Sequence, residues 1–140
     1  MRVLYDTNVI LDALLARQPY ATDAAKLMAM AERKIIDGFL CATTITTLYY
    51  ILAKATDDTV ARVRITSLLN LFDSAAVNRS VLQSALRLPF KDYEDAVLHE
   101  AAQLAGADAI VTRNGRDFRQ ATLPIYSPVE LLAALATSND

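Results

Sequence analysis

The strongest constraint on the fold is an alternation of short, almost wholly apolar runs with longer stretches of helical spacing. Consecutive apolar residues in a short strand mean burial on both faces, which parallel sheets achieve by placing their crossover helices above and below. The sequence therefore predicts an α/β fold with strands at Val3–Tyr5, Phe39–Ala42, Ala75–Val77, Ala109–Thr112 and Pro124–Tyr126. Local punctuation marks the intervening helices. Asp37 and Gly38 predict a turn ahead of the second strand, and Gly106 a left-handed helix end. "SPVE" predicts a helix start: Ser127 as N-cap, Pro128 in the first turn, and Glu130 completing a capping box.

With 140 residues, 54% of them hydrophobic and only 3 Gly and 4 Pro, the chain reads as one globular domain spanning 1–140. The opening "MRVLYD" reaches an acid at Asp6, so a signal peptide or membrane span is not expected there, and a cytoplasmic location is. Cys41 and His99 are each the one residue of their type, which excludes an internal disulfide and a Cys/His zinc site within one chain. Any metal would be held mainly by oxygen. The net charge of -2 gives no global attraction to nucleic acid, and leaves local basic patches open.

Ligands of an open parallel sheet bind outside the carboxyl ends of its strands. There "YDTNVILD" crowds Asp6, Thr7 and Asn8, and Asp117 follows the strand "AIVT" after the loop "RNGR". Asp92 and Asp95 open the preceding helix, three residues apart and on one face. Each has a plainer reading as well: Asp92 or Asp95 as a helix cap, and Asp6 as the N-cap of a helix from Val9, a role Thr7 or Asn8 could fill. Asp12 and Glu94 read as solvated charges, Arg62 and Arg64 as a solvated helix face, and His99 as a surface or half-buried side chain. Cys41 reads as a small buried apolar residue, and Tyr49 and Tyr50 as core and rim of a helix on the sheet.

Converging carboxylates raise one another's cost of ionising, and a divalent cation relieves it. Hard oxygen ligands favour Mg²⁺ or Mn²⁺, whose chemistry is that of metal-dependent nucleases and phosphatases. Arg113, Arg116 and Arg119 surround Asp117 and would suit a nucleic-acid backbone.

Four segments, "YDTNVILDALLARQPY", "CATTITTLYYILAK", "KDYEDAVLHEAAQLAGADAIVTRNGRDF" and "LPIYSPVELL", together resemble a PIN domain, in the branch of toxin-like proteins of the VapC type. The likeness implies a three-layer α/β/α fold around a short parallel sheet, and a Mg²⁺- or Mn²⁺-dependent ribonuclease site. It puts Asp6 first among the acids and Asp95 later, with Thr112, Asn114 and Asp117 as the last group and Asn8 steadying the first acid. It further implies RNA as substrate, an antitoxin partner and a homodimer. Two positions depart from the pattern: Thr47 stands where such proteins usually carry an acid, and Asn114 where many carry aspartate. A degenerate PIN domain that binds RNA or a protein without cleaving is therefore the alternative. A haloacid-dehalogenase-type phosphatase would need aspartate at Asn8. A receiver domain would need an aspartate after its central strand and a later lysine, which "CATT" and "IVTRN" do not supply.

Overall fold

The computed structural model describes residues 1–138 of the chain. It contains strands β1 (Arg2–Tyr5), β2 (Asp37–Cys41), β3 (Asp73–Ala75), β4 (Ala109–Val111) and β5 (Ile125–Tyr126). Helices α1 (Thr7–Leu14) and α2 (Ala21–Glu32) follow β1, and α3 (Ala42–Ala55) and α4 (Asp58–Leu71) follow β2. Helices α5 (Arg79–Leu86) and α6 (Tyr93–Ala105) follow β3, and α7 (Pro128–Ser138) follows β5. A 3₁₀ turn, Gly115–Phe118, lies between β4 and β5. No described helix is long and apolar enough to cross a membrane.

The strands form one parallel sheet in the order β3-β2-β1-β4-β5. Strand alternation assigns Val3 and Tyr5 to one core and Leu4 to the other. The first core takes side chains from α1, α2, α3, α4 and α7, among them Ile10, Leu27, Leu48, Leu68 and Leu131. The second takes Val81, Ala85, Val97 and Ala101 from α5 and α6. The result is the expected three-layer α/β/α sandwich. Because the chain leaves β1 toward β2 on one side and later returns to β4 on the other, the strand order reverses between β1 and β4. Their carboxyl ends define the crevice where such folds bind ligands.

The Asp37-Gly38 pair is not a turn; it begins β2, with Gly38 opposite Val3. A side chain on Gly38 would come within 2.7 Å of the Phe72 ring, so glycine is required there by close packing. Phe72 also meets Tyr5 edge-on at 4.9 Å, and burial of a ring that size contributes roughly 1.5–3 kcal/mol. Tyr5, fully buried, donates its hydroxyl to the Leu27 carbonyl at 2.7 Å, and burial raises its phenol above the ordinary range, which keeps it a donor. These contacts fix the end of β1, one residue before Asp6.

Other boundaries moved by a residue or two. β3 starts at Asp73 and ends at Ala75 because it is an edge strand, whose Asp73 and Ser74 can face water. Ala42 already belongs to α3, Pro124 precedes β5, and Thr112 leaves the sheet. The two terminal signals hold: Gly106 has φ 76° at the end of α6. Ser127 and Glu130 exchange the reciprocal bonds of a capping box, Ser127 N–H to Glu130 Oε1 at 2.8 Å and Glu130 N–H to Ser127 Oγ at 3.1 Å.

Candidate active site

Asp6 continues β1 for one more ladder contact, its N–H donating to the Val111 carbonyl at 2.9 Å, and then caps α1. Its Oδ1 accepts the Thr7 N–H at 2.7 Å, so the capping reading holds, with the helix starting at Thr7. Its Oδ2 accepts the Thr112 hydroxyl at 2.7 Å and the Asn8 amide at 3.2 Å. Thr112, fully buried, is itself aimed by the Asn114 N–H at 3.0 Å, and Asn8 by the Arg113 N–H at 3.2 Å onto its Oδ1. Three of the four or so lone-pair directions of Asp6 are thus taken, and one is left. Burial raises the Asp6 carboxyl; the bonds from Thr112, Thr7 and Asn8 lower it, and the charge of Asp117 raises it.

The other acids are held less closely. Asp92 caps α6, its Oδ1 accepting the Glu94 N–H at 2.8 Å, and Glu94 is exposed as anticipated. Asp95 lies in the first turn of α6, partly buried, with no hydrogen bond or ion pair among the described residues. Burial first, then the charges of Asp6, Asp92, Asp117 and Glu94, push its carboxyl up to about 7. Asp117 sits exposed on the 3₁₀ turn, positioned by its N–H bond to the Asn114 carbonyl at 2.9 Å. The fold therefore brings Asp6, Asp95 and Asp117 within range of one another's fields. An open cleft of about 470 Å³ is walled by Lys91, Asp92, Tyr93, Asp95 and Asp117.

The donor chemistry suits a hard divalent cation: oxygen only, mutually repelling, with one free direction on Asp6 and unpartnered carboxylates on Asp95 and Asp117. Spacing is the weaker side of the fit. Among the described residues no group of three or more His, Cys, Asp or Glu could hold a metal ion as the side chains stand. Thr47 adds nothing to the charge, and its hydroxyl donates to the Thr43 carbonyl of its own helix at 3.0 Å. It does lie one turn beyond Thr44, a buried residue whose hydroxyl meets that of Thr7 at 3.0 Å, so position 47 is on the side of α3 that approaches the start of α1.

Three expectations need correction. Asp12 is not a solvated charge: it is 1% exposed and binds Arg113 through both oxygens, at 2.7 and 3.2 Å, with Arg17 at 3.8 Å. Arg113 is consequently no free cation for a nucleic-acid backbone, since its guanidinium also stacks on Tyr20 at 4.1 Å. Arg116 and Arg119 remain exposed and free of ion pairs among the described residues. His99 is fully buried, its Nε2 accepting the N–H of Thr122 at 3.1 Å, and burial holds it neutral by lowering its affinity for a proton. It fastens the loop before β5. Asp12 was the missed residue; its place directly after the buried run Val9–Leu11 was the available signal.

A sequence model of the PIN domain matches residues 2–116. Comparison with curated protein sequences gives no match. Among solved structures, FitAcB from Neisseria gonorrhoeae superposes with a TM-score of 0.71 at 20% identity, over 91% of this chain and 98% of that one. A toxin–antitoxin complex from Klebsiella pneumoniae gives 0.68 at 21% identity, over 90% and 97%. VapC20 from Mycobacterium tuberculosis, a toxin that cleaves the sarcin-ricin loop, gives 0.62 at 13% identity, over 77% and 86%. At these identities the structural likeness is one of fold; the sequence match covers most of the chain, and with it the chain belongs to the PIN domain family.

Proposed function

We propose that the protein is a divalent-metal-dependent endoribonuclease, acting as the toxin of a toxin–antitoxin pair. The observation that carries the reading is the convergence of Asp6, Asp95 and Asp117 at the sheet's switch point, where burial first and then the neighbouring carboxylates raise the Asp95 carboxyl. Such crowding costs stability and is expected where a site uses it. Asp6, Asp95 and Asp117 would hold Mg²⁺ or Mn²⁺, which when bound supplies Lewis acidity toward a phosphoryl oxygen. Thr112 and Asn8 keep the Asp6 carboxylate in one orientation, and Asn114 supports Thr112 through its backbone. Without a cation Asp95 keeps its proton up to about 7, so binding of the metal would release it. The toxin role and an antitoxin partner are supported by family membership and by the fold shared with VapC20 and the Klebsiella complex, and a homodimer is proposed from the family resemblance alone.

The second reading, a module that binds RNA or a protein without cutting, is favoured by Thr47, Asn114 and the acids' distance from a gathered metal site. Purified protein incubated with single-stranded RNA and Mn²⁺ separates the two. The nuclease reading expects cleavage that is lost with chelator and falls by more than about 100-fold in Asp6→Asn, beyond the 10–100-fold typical of residues that only support a ligand. Cleavage that Asp6→Asn leaves intact would remove the acids from the mechanism, and no cleavage by folded wild type would leave the binding module.

A further inference from the structure

Beside the acid cleft lies a second concavity of about 360 Å³, lined by Pro89, Phe90, Lys91, Arg116, Asp117, Arg119 and Gln120. Lys91 and Asp117 line both, so the two hollows adjoin along that pair. Three cations surround the second one, and among the described residues none of the three makes an ion pair or hydrogen bond through its side chain. Of the eight other arginines, four are in ion pairs among the described residues, Arg2, Arg17, Arg62 and Arg113; what sets this hollow apart is that three unpaired cations line one concavity. Clustered like charges without partners repel, and they gain most from an anion that reaches all of them. The half-buried Phe90, packed on Phe118 at 5.9 Å, gives the hollow an apolar wall that excludes part of the water and strengthens the field of the cations.

We propose that Lys91, Arg116 and Arg119 form a phosphate subsite that holds the backbone phosphate next to the one at the acids. This rests on the nuclease reading for the acid cleft and assigns the direction in which the strand leaves it. Asp117 on the shared rim repels a phosphate from its own side, so the anion is confined to the basic end. Lys91, at the entry to α6, and Arg116, beside Asp117, tie the subsite to the two segments that carry the acids. A strand bound here therefore sets the position of its neighbouring phosphodiester against Asp95 and Asp117. The subsite is a positioning device, and the three cations are not catalytic residues.

The test measures binding of a short unstructured RNA in chelator, across salt concentrations, to wild type, to Lys91→Gln/Arg116→Gln/Arg119→Gln, and to a charge-matched control, Lys26→Gln/Arg33→Gln/Lys34→Gln. Lys26 lies on α2, and Arg33 and Lys34 lie in the connection leading into the amino end of β2, whereas the acids lie beyond the carboxyl ends of the strands. Loss of one to two phosphate contacts should reduce the slope of log K against log salt by about 0.7–1.4 in the pocket variant and leave the control near wild type. Inorganic phosphate should compete only weakly, because it fills one subsite and not a strand's path. Equal slopes for wild type and pocket variant, or an equal loss in the control, would overturn the subsite. Cleavage with Mn²⁺ separates its failure from that of the nuclease reading. Cleavage with an unchanged KM in the pocket variant defeats the subsite alone. RNA binding that needs the pocket, in a protein that never cuts, supports the subsite and defeats the nuclease.

Discussion

The two walls of the site are built on opposite terms. Asp6 is 8% exposed and receives hydrogen bonds from Thr7, Asn8 and Thr112, whose own groups are held in turn by Arg113 and Asn114. Asp95 and Asp117 face the cleft with no side-chain partner among the described residues. The first wall fixes one carboxylate in place before any ligand arrives. The second leaves its acids unpartnered, so ionising them has a cost to stability that a cation would remove. A site of this kind divides the work: orientation comes from the strand edges, and affinity from the crowding of acids on α6 and the 3₁₀ turn.

The firm wall should be the harder to disturb and the more expensive to break. Asp12→Ala strands Arg113, whose N–H holds Asn8 against Asp6, and is expected to cost about 2–4 kcal/mol, somewhat below a fully buried pair because Arg113 keeps 26% of its side chain in water. Urea unfolding measures it, and a loss under about 1 kcal/mol would mean that the pair does not support this wall. Replacing both partners by apolar residues of similar volume should recover much of the loss, since the penalty lies in the stranded charge.

The open wall should respond to pH. An unfolded Asp95 releases its proton near 3.8, while the folded one keeps it to about 7, so the native state binds more protons in that window. Stability of the metal-free protein must then fall as pH rises from 3.8 to about 7 and level off above. The expected loss is roughly 1–3 kcal/mol, allowing about 1.4 kcal/mol per pKa unit and a discount for solvent. Thermal unfolding in chelator at pH 5 and pH 8 reads it directly, with Asp95→Asn as the comparison. A wild-type profile matching that of Asp95→Asn would mean that neither burial nor the neighbouring acids raise the Asp95 carboxyl.

The sheet and its layers were legible because burial on both faces leaves a continuous apolar run, and Val3–Tyr5 and Ala109–Val111 carry nothing else. Gly38 was misread because its reason lies in Phe72, 34 positions away and invisible to local punctuation. The acids could be placed at one edge from topology alone. Which charges were paired could not: Asp12 and Arg113 meet across 101 positions, and a formal charge in a sequence looks the same whether buried in a pair or solvated. Lys91 belonged to the basic hollow for a similar reason, since only the fold brings the entry to α6 beside Arg116.

Thr47 offers the finest adjustment of the contrast between walls, because it carries no charge and lies one turn beyond the residue of α3 that meets Thr7. Its hydroxyl is spent on the Thr43 carbonyl, and its neighbour Thr44 touches Thr7 at the start of α1. Thr47→Glu replaces a helix-bonded hydroxyl with a carboxylate on a longer stem, on the side of α3 nearest Asp6. If that stem reaches the crevice, it adds one more acid to the open set. Mn²⁺ affinity without RNA, measured by calorimetry, should then tighten by about three- to tenfold as the ligand charge rises. The metal-free protein should lose a few tenths of a kcal/mol, since roughly ±0.5 kcal/mol is usual for a substitution outside the core. Unchanged affinity in a folded Thr47→Glu protein would show that α3 presents position 47 away from the acids, and the open wall would then consist of Asp95 and Asp117 alone.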